Sequence, residues 1–195
     1  MSSSTVAIVI LNFNGKKHLE TFLPSVMNTS YANSKVIIAD NGSTDDSLAF
    51  LAANYPGITC LQRDTNEGFA GGYNWALSLV DAEYYVLLNS DVEVTPNWLE
   101  PMVSLLDSNK NIAACQPKIL SYSNPTSFVP GQSEAILVVL HMCYGKRFMA
   151  SAQSHGRRTT SIHKISVRRE ISFNSVSLSK VCRNMCLCRN IGMSD

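Results

Sequence analysis

The first 120 residues alternate short, continuously apolar runs with segments of helical periodicity. Residues 6–11 are apolar throughout, as expected of a strand that is buried on both faces of a sheet. Residues 18–27 then carry apolar side chains three and four positions apart, which predicts a helix with one buried face. Repetition of this unit indicates an α/β domain, with a mostly parallel sheet and helices on both faces.

The same pattern predicts four further strands and three further helices. The strands are expected at 35–39, 58–62, 84–88 and 112–115, and the helices at 45–54, 71–80 and 96–106. Ser43 is expected to cap the second helix, with Asp45 and Asp46 in its first turn, where negative charge suits the helix dipole. The short connections imply parallel strands with right-handed crossovers.

Residues 121–195 differ from the preceding sequence in charge and in pattern. Residues 1–120 contain 6 Lys and Arg against 12 Asp and Glu, whereas residues 121–195 contain 10 against 3. Residues 121–132 have the Ser, Pro and Asn content of a linker, and a weak alternation over 161–167 allows one short strand. We therefore expect a folded domain over 1–120, followed by an irregular or poorly ordered basic tail over 121–195.

The cysteines and the apolar runs indicate the compartment. Cys60 and Cys115 lie in strand-like surroundings and the other four cysteines lie in the tail, without the arrangement of a disulfide framework. No basic segment precedes the first apolar run, so no signal peptide is expected. The apolar run 135–140 is far shorter than the roughly 20 residues of a membrane helix. These features predict a cytoplasmic protein, with any membrane association peripheral and at the inner face.

Polar and glycine residues follow each predicted strand. In a parallel α/β sheet the ligand lies at the carboxyl ends of the strands. Asp40 is placed there to accept hydrogen bonds from a base or ribose, although its segment also has ordinary turn chemistry. Asp91 is placed to hold Mg²⁺ or Mn²⁺ against a diphosphate, with a solvated turn as the alternative.

The segment 66–74 contains three glycines at a predicted helix start, where backbone N–H groups can approach an anion closely. It is not the Gly-x-Gly-x-x-Gly fingerprint of dinucleotide-binding folds, nor the Gly-x-x-x-x-Gly-Lys-Ser/Thr of phosphate-binding loops. The sequence therefore argues against an NAD-dependent dehydrogenase and against a P-loop ATPase.

Four segments taken together resemble family 2 glycosyltransferases of the GT-A fold, over about residues 5–120. They are VAIVILNFNG (6–15), IIADNGSTD (37–45), NEGFAGGYN (66–74) and LLNSDV (87–92), in the order and spacing of the family. The resemblance implies an inverting enzyme of polysaccharide biosynthesis. It would transfer a sugar from a nucleotide-diphospho-sugar to a glycan or lipid-linked acceptor, with a divalent cation, Mg²⁺ or Mn²⁺.

The resemblance also assigns residues to the donor site. The nucleotide-sugar-binding residues would be Leu11, Asn12, Phe13, Asp40, Asn66, Gly68, Asn74 and Ser90. Among these, the loop from Leu11 to Phe13 would line the base pocket and Asp40 would bind the base or ribose. Asp91 would match the metal-binding acid of the family's Asp-x-Asp motif. Asn89 replaces the first acid of that motif, which weakens metal binding without excluding it.

The catalytic base is not recognised in the sequence. An inverting transferase needs a base to deprotonate the acceptor hydroxyl. The tail offers only Glu134, Glu170 and Asp195, none of them in an acidic pair. A non-catalytic nucleotide-sugar-binding protein is therefore the alternative function, and an unrelated Rossmann-like nucleotide binder is a more distant one.

Three origins of the tail are open: a divergent acceptor module, a basic segment that docks on anionic lipid, or translation in the wrong frame after about residue 121. The coding DNA tests the third, which requires an alternative frame with continuing strand patterns and an acidic pair. Cys182, Cys186 and Cys188 lack the paired spacing of zinc ligands. The arginine pairs 157–158 and 168–169 lack aromatic neighbours, so no nucleic-acid partner is expected.

Overall fold

The structure is a computed structural model that describes residues 4–109, 112–115, 117, 119–121, 138–141, 165–167 and 176–177. Four adjacent parallel strands form one side of the main sheet. Their bounds are β1 Val6–Asn12, β2 Ser34–Asn41, β3 Thr59–Arg63 and β4 Tyr84–Asn89. β1 pairs with β2 on one side and with β4 on the other, and β3 pairs with the outer side of β2. This arrangement confirms the predicted parallel sheet.

A strand from the later part of the chain separates β4 from the next strand of the same direction. β6 (Ile112–Cys115) and β4 both pair antiparallel with β8 (Val138–His141), so β6 runs in the direction of β4 without being its neighbour. β10 (Val176–Ser177) pairs antiparallel with β6 at the sheet edge. The five predicted strands therefore run in one direction, as a mostly parallel sheet requires, and the antiparallel neighbour of β4 and β6 is a strand from a distant segment that was not predicted.

Three further strands form a second sheet. It contains β5 (Val92–Glu93), β9 (Ile165–Val167) and β7 (Ile119–Ser121), in that order. β9 pairs parallel with β5 and antiparallel with β7. The weak alternation over 161–167 thus corresponds to a short strand.

Helices cover both faces of the main sheet, as the sequence predicts. The helices are α1 Lys16–Met27, α2 Ser47–Asn54, α3 Gly68–Ser78 and α4 Glu100–Ser108. Apolar residues of α1, α2 and α4 share one core with Ile8 and Ile10, whereas those of α3 share a second core with Ala7 and Val9. The division follows from β1, since successive side chains of a strand point to opposite faces.

The start of α2 differs from the prediction. The helix begins at Ser47 with Asp46 at the N-cap position, so Ser43 is not its cap and neither Asp45 nor Asp46 lies in its first turn. Asp45 instead accepts hydrogen bonds from the hydroxyl and the backbone N–H of Ser47. Ser43 does not cap the helix, because its hydroxyl instead accepts hydrogen bonds from Nδ2 of Asn12 and from the backbone N–H of Asn14.

The predicted helix 96–106 begins later than expected. It starts at Glu100, with Pro101 rather than Pro96 in its first positions. The Pro96 carbonyl instead accepts hydrogen bonds from the backbone N–H and the hydroxyl of Ser30. The segment 96–99 therefore fastens the end of α1 to the start of α4.

Most features predicted for the tail fall outside the described residues. These features are the linker beyond Ser121, the arginine pairs, the cysteine group near the end and the acids of 121–195. Within the described part of the chain, no helix is both long enough and apolar enough to cross a membrane.

Close packing of α3 against the sheet depends on Gly72. A Cβ atom at this position would lie 2.6 Å from Cδ1 of Leu11 and 3.0 Å from Nδ2 of Asn41. We expect Gly72→Ala to lower the free energy of unfolding by about 1–3 kcal/mol, the usual effect of overpacking a core. Urea denaturation measures it.

Gly57→Ala is the matched control, because a Cβ at Gly57 has no neighbour within 4 Å among the described residues. Its free energy of unfolding should change by no more than about 0.5 kcal/mol. Equal losses for the two variants would contradict the close contact.

Candidate functional site

The polar segments predicted at the strand ends lie along one edge of the sheet. In the register of the parallel strands, Asn12 is paired with Asp40, Leu11 with Asn89, and Asn41 with Arg63. The sheet order β4-β1-β2-β3 therefore places the four segments side by side. This is the edge at which parallel α/β sheets bind their ligands.

Asn12 and Asp40 form a buried hydrogen-bonded pair. Both side chains are almost fully buried. Nδ2 of Asn12 donates to Oδ1 of Asp40 at 2.8 Å and to Oγ of Ser43 at 3.0 Å, while the Ser43 N–H donates to Oδ2 of Asp40 at 3.0 Å. Each carboxylate oxygen of Asp40 thus has a donor within the protein. The pair fixes the ends of β1 and β2 relative to each other.

Asn14 strengthens this connection and was missed in the sequence. Its backbone has a positive φ of 50°, a conformation that asparagine tolerates better than most residues. Its Oδ1 accepts hydrogen bonds from the backbone N–H of Thr44 at 2.7 Å and of Asp45 at 3.2 Å. The pair Asn14-Gly15 was a turn signal that, read with the turn after β2, could have indicated the contact.

Phe13 is the exposed aromatic side chain of this loop. It is 48% exposed, whereas the preceding Leu11 is partly buried and packs against the α3 core. Since Asn12 and Asn14 are held by the loop after β2, Phe13 projects from a fixed support. A flat apolar ring at this edge can stack on a planar base.

Asn66 lies in the connection between β3 and α3, Gly68 is the first residue of α3, and both are hydrogen-bonded to β2. Nδ2 of Asn41 donates to Oδ1 of Asn66 at 2.7 Å and to the carbonyl of Gly68 at 3.1 Å. Asn41 is almost fully buried and was missed in the sequence, because the segment after β2 also has the residue types of an ordinary turn. Asn74 lies further along α3 and is half-buried.

Asp91 and Ser90 follow β4. Asp91 is half-buried, and burial raises the pKa of its carboxyl group, although its own backbone N–H and the nearby His18 act in the opposite direction. Ser90 is close to the start of α1, because its Oγ would lie 3.5 Å from a Cβ at Gly15. His18 was missed as a neighbour of Asp91, and no sequence signal pointed to it.

The donor set around Asp91 is compatible with a divalent cation that is shared with a phosphate ligand. Within the described ranges, no group of three or more His, Cys, Asp or Glu side chains is placed to hold a metal ion by itself. Mg²⁺ is usually bound by one or two carboxylates together with substrate phosphates and water. Asp91 supplies one such carboxylate, so the site fits a cation that arrives with a diphosphate.

Comparison with known proteins identifies relatives for this chain. The family described as "Glycosyl transferase family 2" matches residues 7–174. That match covers most of the chain and continues past residue 120.

Two curated relatives show the same similarity over part of their sequences. An "Uncharacterized glycosyltransferase" of Haemophilus influenzae is 26% identical over 112 residues, which are 56% of this chain and 35% of that protein. The "UDP-Glc:alpha-D-GlcNAc-diphosphoundecaprenol beta-1,3-glucosyltransferase WfaP" of Escherichia coli is 27% identical over 120 residues, which are 61% of this chain and 45% of that protein. The chain thus spans less than half the length of these relatives.

Among solved structures, the fold is similar to that of the mannosyltransferase PcManGT from Pyrobaculum calidifontis, in complex with GDP-Man and Mn²⁺. The TM-score is 0.54 at 20% sequence identity, over 58% of this chain and 35% of the mannosyltransferase. This similarity supports a GT-A-like fold for the matched region.

Proposed function

This chain belongs to glycosyltransferase family 2, and from that premise we propose that the strand ends within residues 1–120 bind a nucleotide-diphospho-sugar together with a divalent cation. The observation that carries the proposal is the meeting of four polar strand ends at one sheet edge. They provide an exposed aromatic ring, a glycine-rich helix start and a half-buried carboxylate. These groups suit a base, a diphosphate and a cation respectively.

The proposed roles follow from the accessibility of each group. Phe13, exposed beside Leu11, stacks on the base, and Asn12 and Asp40 shape the base pocket from beneath. Asn66, Gly68, Asn74 and Ser90 lie along the diphosphate and sugar. Asp91 holds the cation, which supplies positive charge to the leaving diphosphate when it is bound.

The proposed reaction is transfer of the sugar with inversion to a glycan or lipid-linked acceptor, at the cytoplasmic side of the membrane. The similarity to WfaP, whose name specifies a diphosphoundecaprenol-linked acceptor, supports an acceptor of that class. No residue is assigned as the base that deprotonates the acceptor hydroxyl. A non-catalytic nucleotide-sugar-binding protein is the second candidate, favoured by Asn89, which leaves one carboxylate where the family's Asp-x-Asp motif has two.

A turnover assay separates the two candidates. The protein is incubated with Mn²⁺ and UDP- or GDP-sugars, with and without a diphosphoundecaprenol-linked saccharide, and release of the nucleoside diphosphate is measured. Release that depends on the acceptor supports the transferase. Tight donor binding without any release would contradict transfer and favour the binding protein.

Phe13→Ala tests the stacking role. We expect the dissociation constant of the nucleotide to rise about tenfold, because stacking of a base on an aromatic ring contributes about 1–3 kcal/mol. Leu79→Ala is the control: Leu79 is 59% exposed and lies beyond the opposite end of α3. Isothermal titration calorimetry measures both, and equal affinity of the two variants would remove Phe13 from the base pocket.

A further inference from the structure

The loop between β3 and α3 is held in place from two sides. It consists of residues 64–67 and leads into the glycine-rich start of α3. One set of contacts comes from the end of β2, and the other comes from Arg63 together with α3. Both sets lie at the sheet edge that carries the proposed donor site.

Asn41 supplies the contacts from β2. Besides its two donated hydrogen bonds, its Oδ1 accepts from the backbone N–H of Glu67 at 3.4 Å. Oδ1 of Asn66 in turn also accepts from the N–H of Gly68 at 2.8 Å. A single buried amide therefore contacts three successive residues of the chain. Its side chain is 1% exposed, so water does not compete for these hydrogen bonds.

Gly42 allows the loop to approach β2 this closely. Its φ is +81°, and a Cβ atom would lie 2.9 Å from the carbonyl carbon of Thr65 and 3.1 Å from the backbone nitrogen of Asn66. The loop backbone thus packs directly on the turn that follows Asn41. A side chain at this position would displace the loop from the amide that holds it.

Arg63 supplies the contacts from the other side. Its guanidinium forms an ion pair with Glu67 and lies over the ring of Trp75, 5.0 Å from the ring centroid. Within the described residues, its Nε and Nη1 atoms are buried without a hydrogen-bond partner. The position of the guanidinium therefore depends on Glu67 and Trp75, and the ion pair ties the two ends of the loop together.

We propose that Asn41 and Arg63 are positioning residues of the donor site, which hold the β3–α3 loop in the conformation that receives the diphosphate. The proposal rests on the proposed function, since it assumes that Asn66 and Gly68 lie along that diphosphate. Neither residue has to touch the ligand. They act by fixing the loop before the ligand arrives, which reduces the ordering cost of binding.

Hydrogen exchange without ligand tests the first half of this proposal. We compare the parent protein with the variants Asn41→Ala and Arg63→Met. Mass spectrometry of a peptide that spans the loop measures the exchange rates. Exchange of the Glu67 and Gly68 amides should accelerate about tenfold or more, since removal of a hydrogen-bond partner shifts local opening by about 1.4 kcal/mol. Asn54→Ala and Lys17→Met are the matched controls, because both residues are exposed and lie on other helices.

Nucleotide affinity tests the second half. Titration with UDP and GDP in the presence of Mn²⁺ should give about tenfold weaker binding for Asn41→Ala and for Asn66→Ala. If Asn41 acts through Asn66, the double variant should lose little more nucleotide affinity than either single variant, because the effects of coupled residues are not additive. A general loss of structure would instead give additive losses of affinity.

The outcomes distinguish this proposal from the proposed function. Faster exchange together with non-additive loss of affinity supports positioning. Unchanged exchange, or faster exchange with parental affinity, would overturn the positioning role while donor binding stands. Absence of nucleotide binding by the folded parent protein would overturn the proposed function, and the donor-site role of the loop with it. Arg63→Met, measured in both the exchange experiment and the nucleotide titration, keeps the test decisive if Asn41→Ala fails to fold, since Arg63 is not in the buried core.

Discussion

Asn12→Leu is expected to lower the free energy of unfolding by about 3 kcal/mol, because it removes one partner of a buried charged hydrogen bond. Leucine branches at Cγ as asparagine does, so the change removes the Nδ2 donor without opening a cavity. Oδ1 of Asp40 would then be buried without that donor, and Ser43 would lose a second contact. Urea denaturation at neutral pH measures the loss.

Asn54→Leu is the matched control for this prediction. Nδ2 of Asn54 donates one hydrogen bond to the carbonyl of Phe50 at the exposed end of α2. Its loss should change the free energy of unfolding by no more than about 0.5 kcal/mol. Adding Asp40→Asn to Asn12→Leu should recover part of the loss, because the remaining group is neutral. Equal effects of Asn12→Leu and Asn54→Leu would contradict the buried pair.

Asp91→Asn is expected to remove most of the gain in nucleotide affinity that Mn²⁺ provides. The expected loss of affinity in the presence of Mn²⁺ is about 10- to 100-fold, the usual contribution of a charge-assisted contact. The variant keeps the shape of the side chain and loses its charge. Titration of the nucleotide with and without Mn²⁺ measures the ratio of dissociation constants. Asp81→Asn is the control, because Asp81 is exposed and precedes β4 at the opposite end of the strand.

The same variant should be more stable than the parent protein. Burial raises the pKa of Asp91 in the folded state above its ordinary value of 3.8. Between the pKa of the unfolded state and the higher pKa of the folded state, the folded protein therefore binds more protons than the unfolded protein. The free energy of unfolding therefore falls as pH rises through that interval, and the deficit persists at neutral pH. The neutral amide of the variant carries no such deficit, so Asp91→Asn should gain stability at pH 7 and lose that advantage below pH 3.8. A less stable variant at pH 7 would contradict this environment for Asp91.

The parallel core of the fold was predictable because its signals are local. The apolar run of β1 and the polar residues after β2 and β4 need no information from distant sequence. The pairing of β4 with β8 was not predictable from local signals. β8 lies about 50 residues further along the chain, and its short apolar run has no pattern that selects β4.

Within the site, residue types were easier to predict than their orientations. Asp40 was expected at the end of β2, where it lies, but its burial against Asn12 depends on the parallel register. Asn41 looked like a turn residue, because its contacts with Asn66 and Gly68 form only when β3 and α3 pack beside it. Contacts between the side chains of two loops produce no periodic pattern in the sequence, so the sequence alone does not predict them.

The proposed donor site requires that the chain bind a nucleotide diphosphate together with a divalent cation. Calorimetric titration of the folded chain with UDP, GDP and dTDP, each with and without Mn²⁺, measures this binding. We predict that at least one nucleotide binds, and that Mn²⁺ strengthens its binding about tenfold or more, as one charge-assisted contact would. Absence of heat from every nucleotide in both conditions, in a sample with cooperative unfolding, would contradict the proposed donor site.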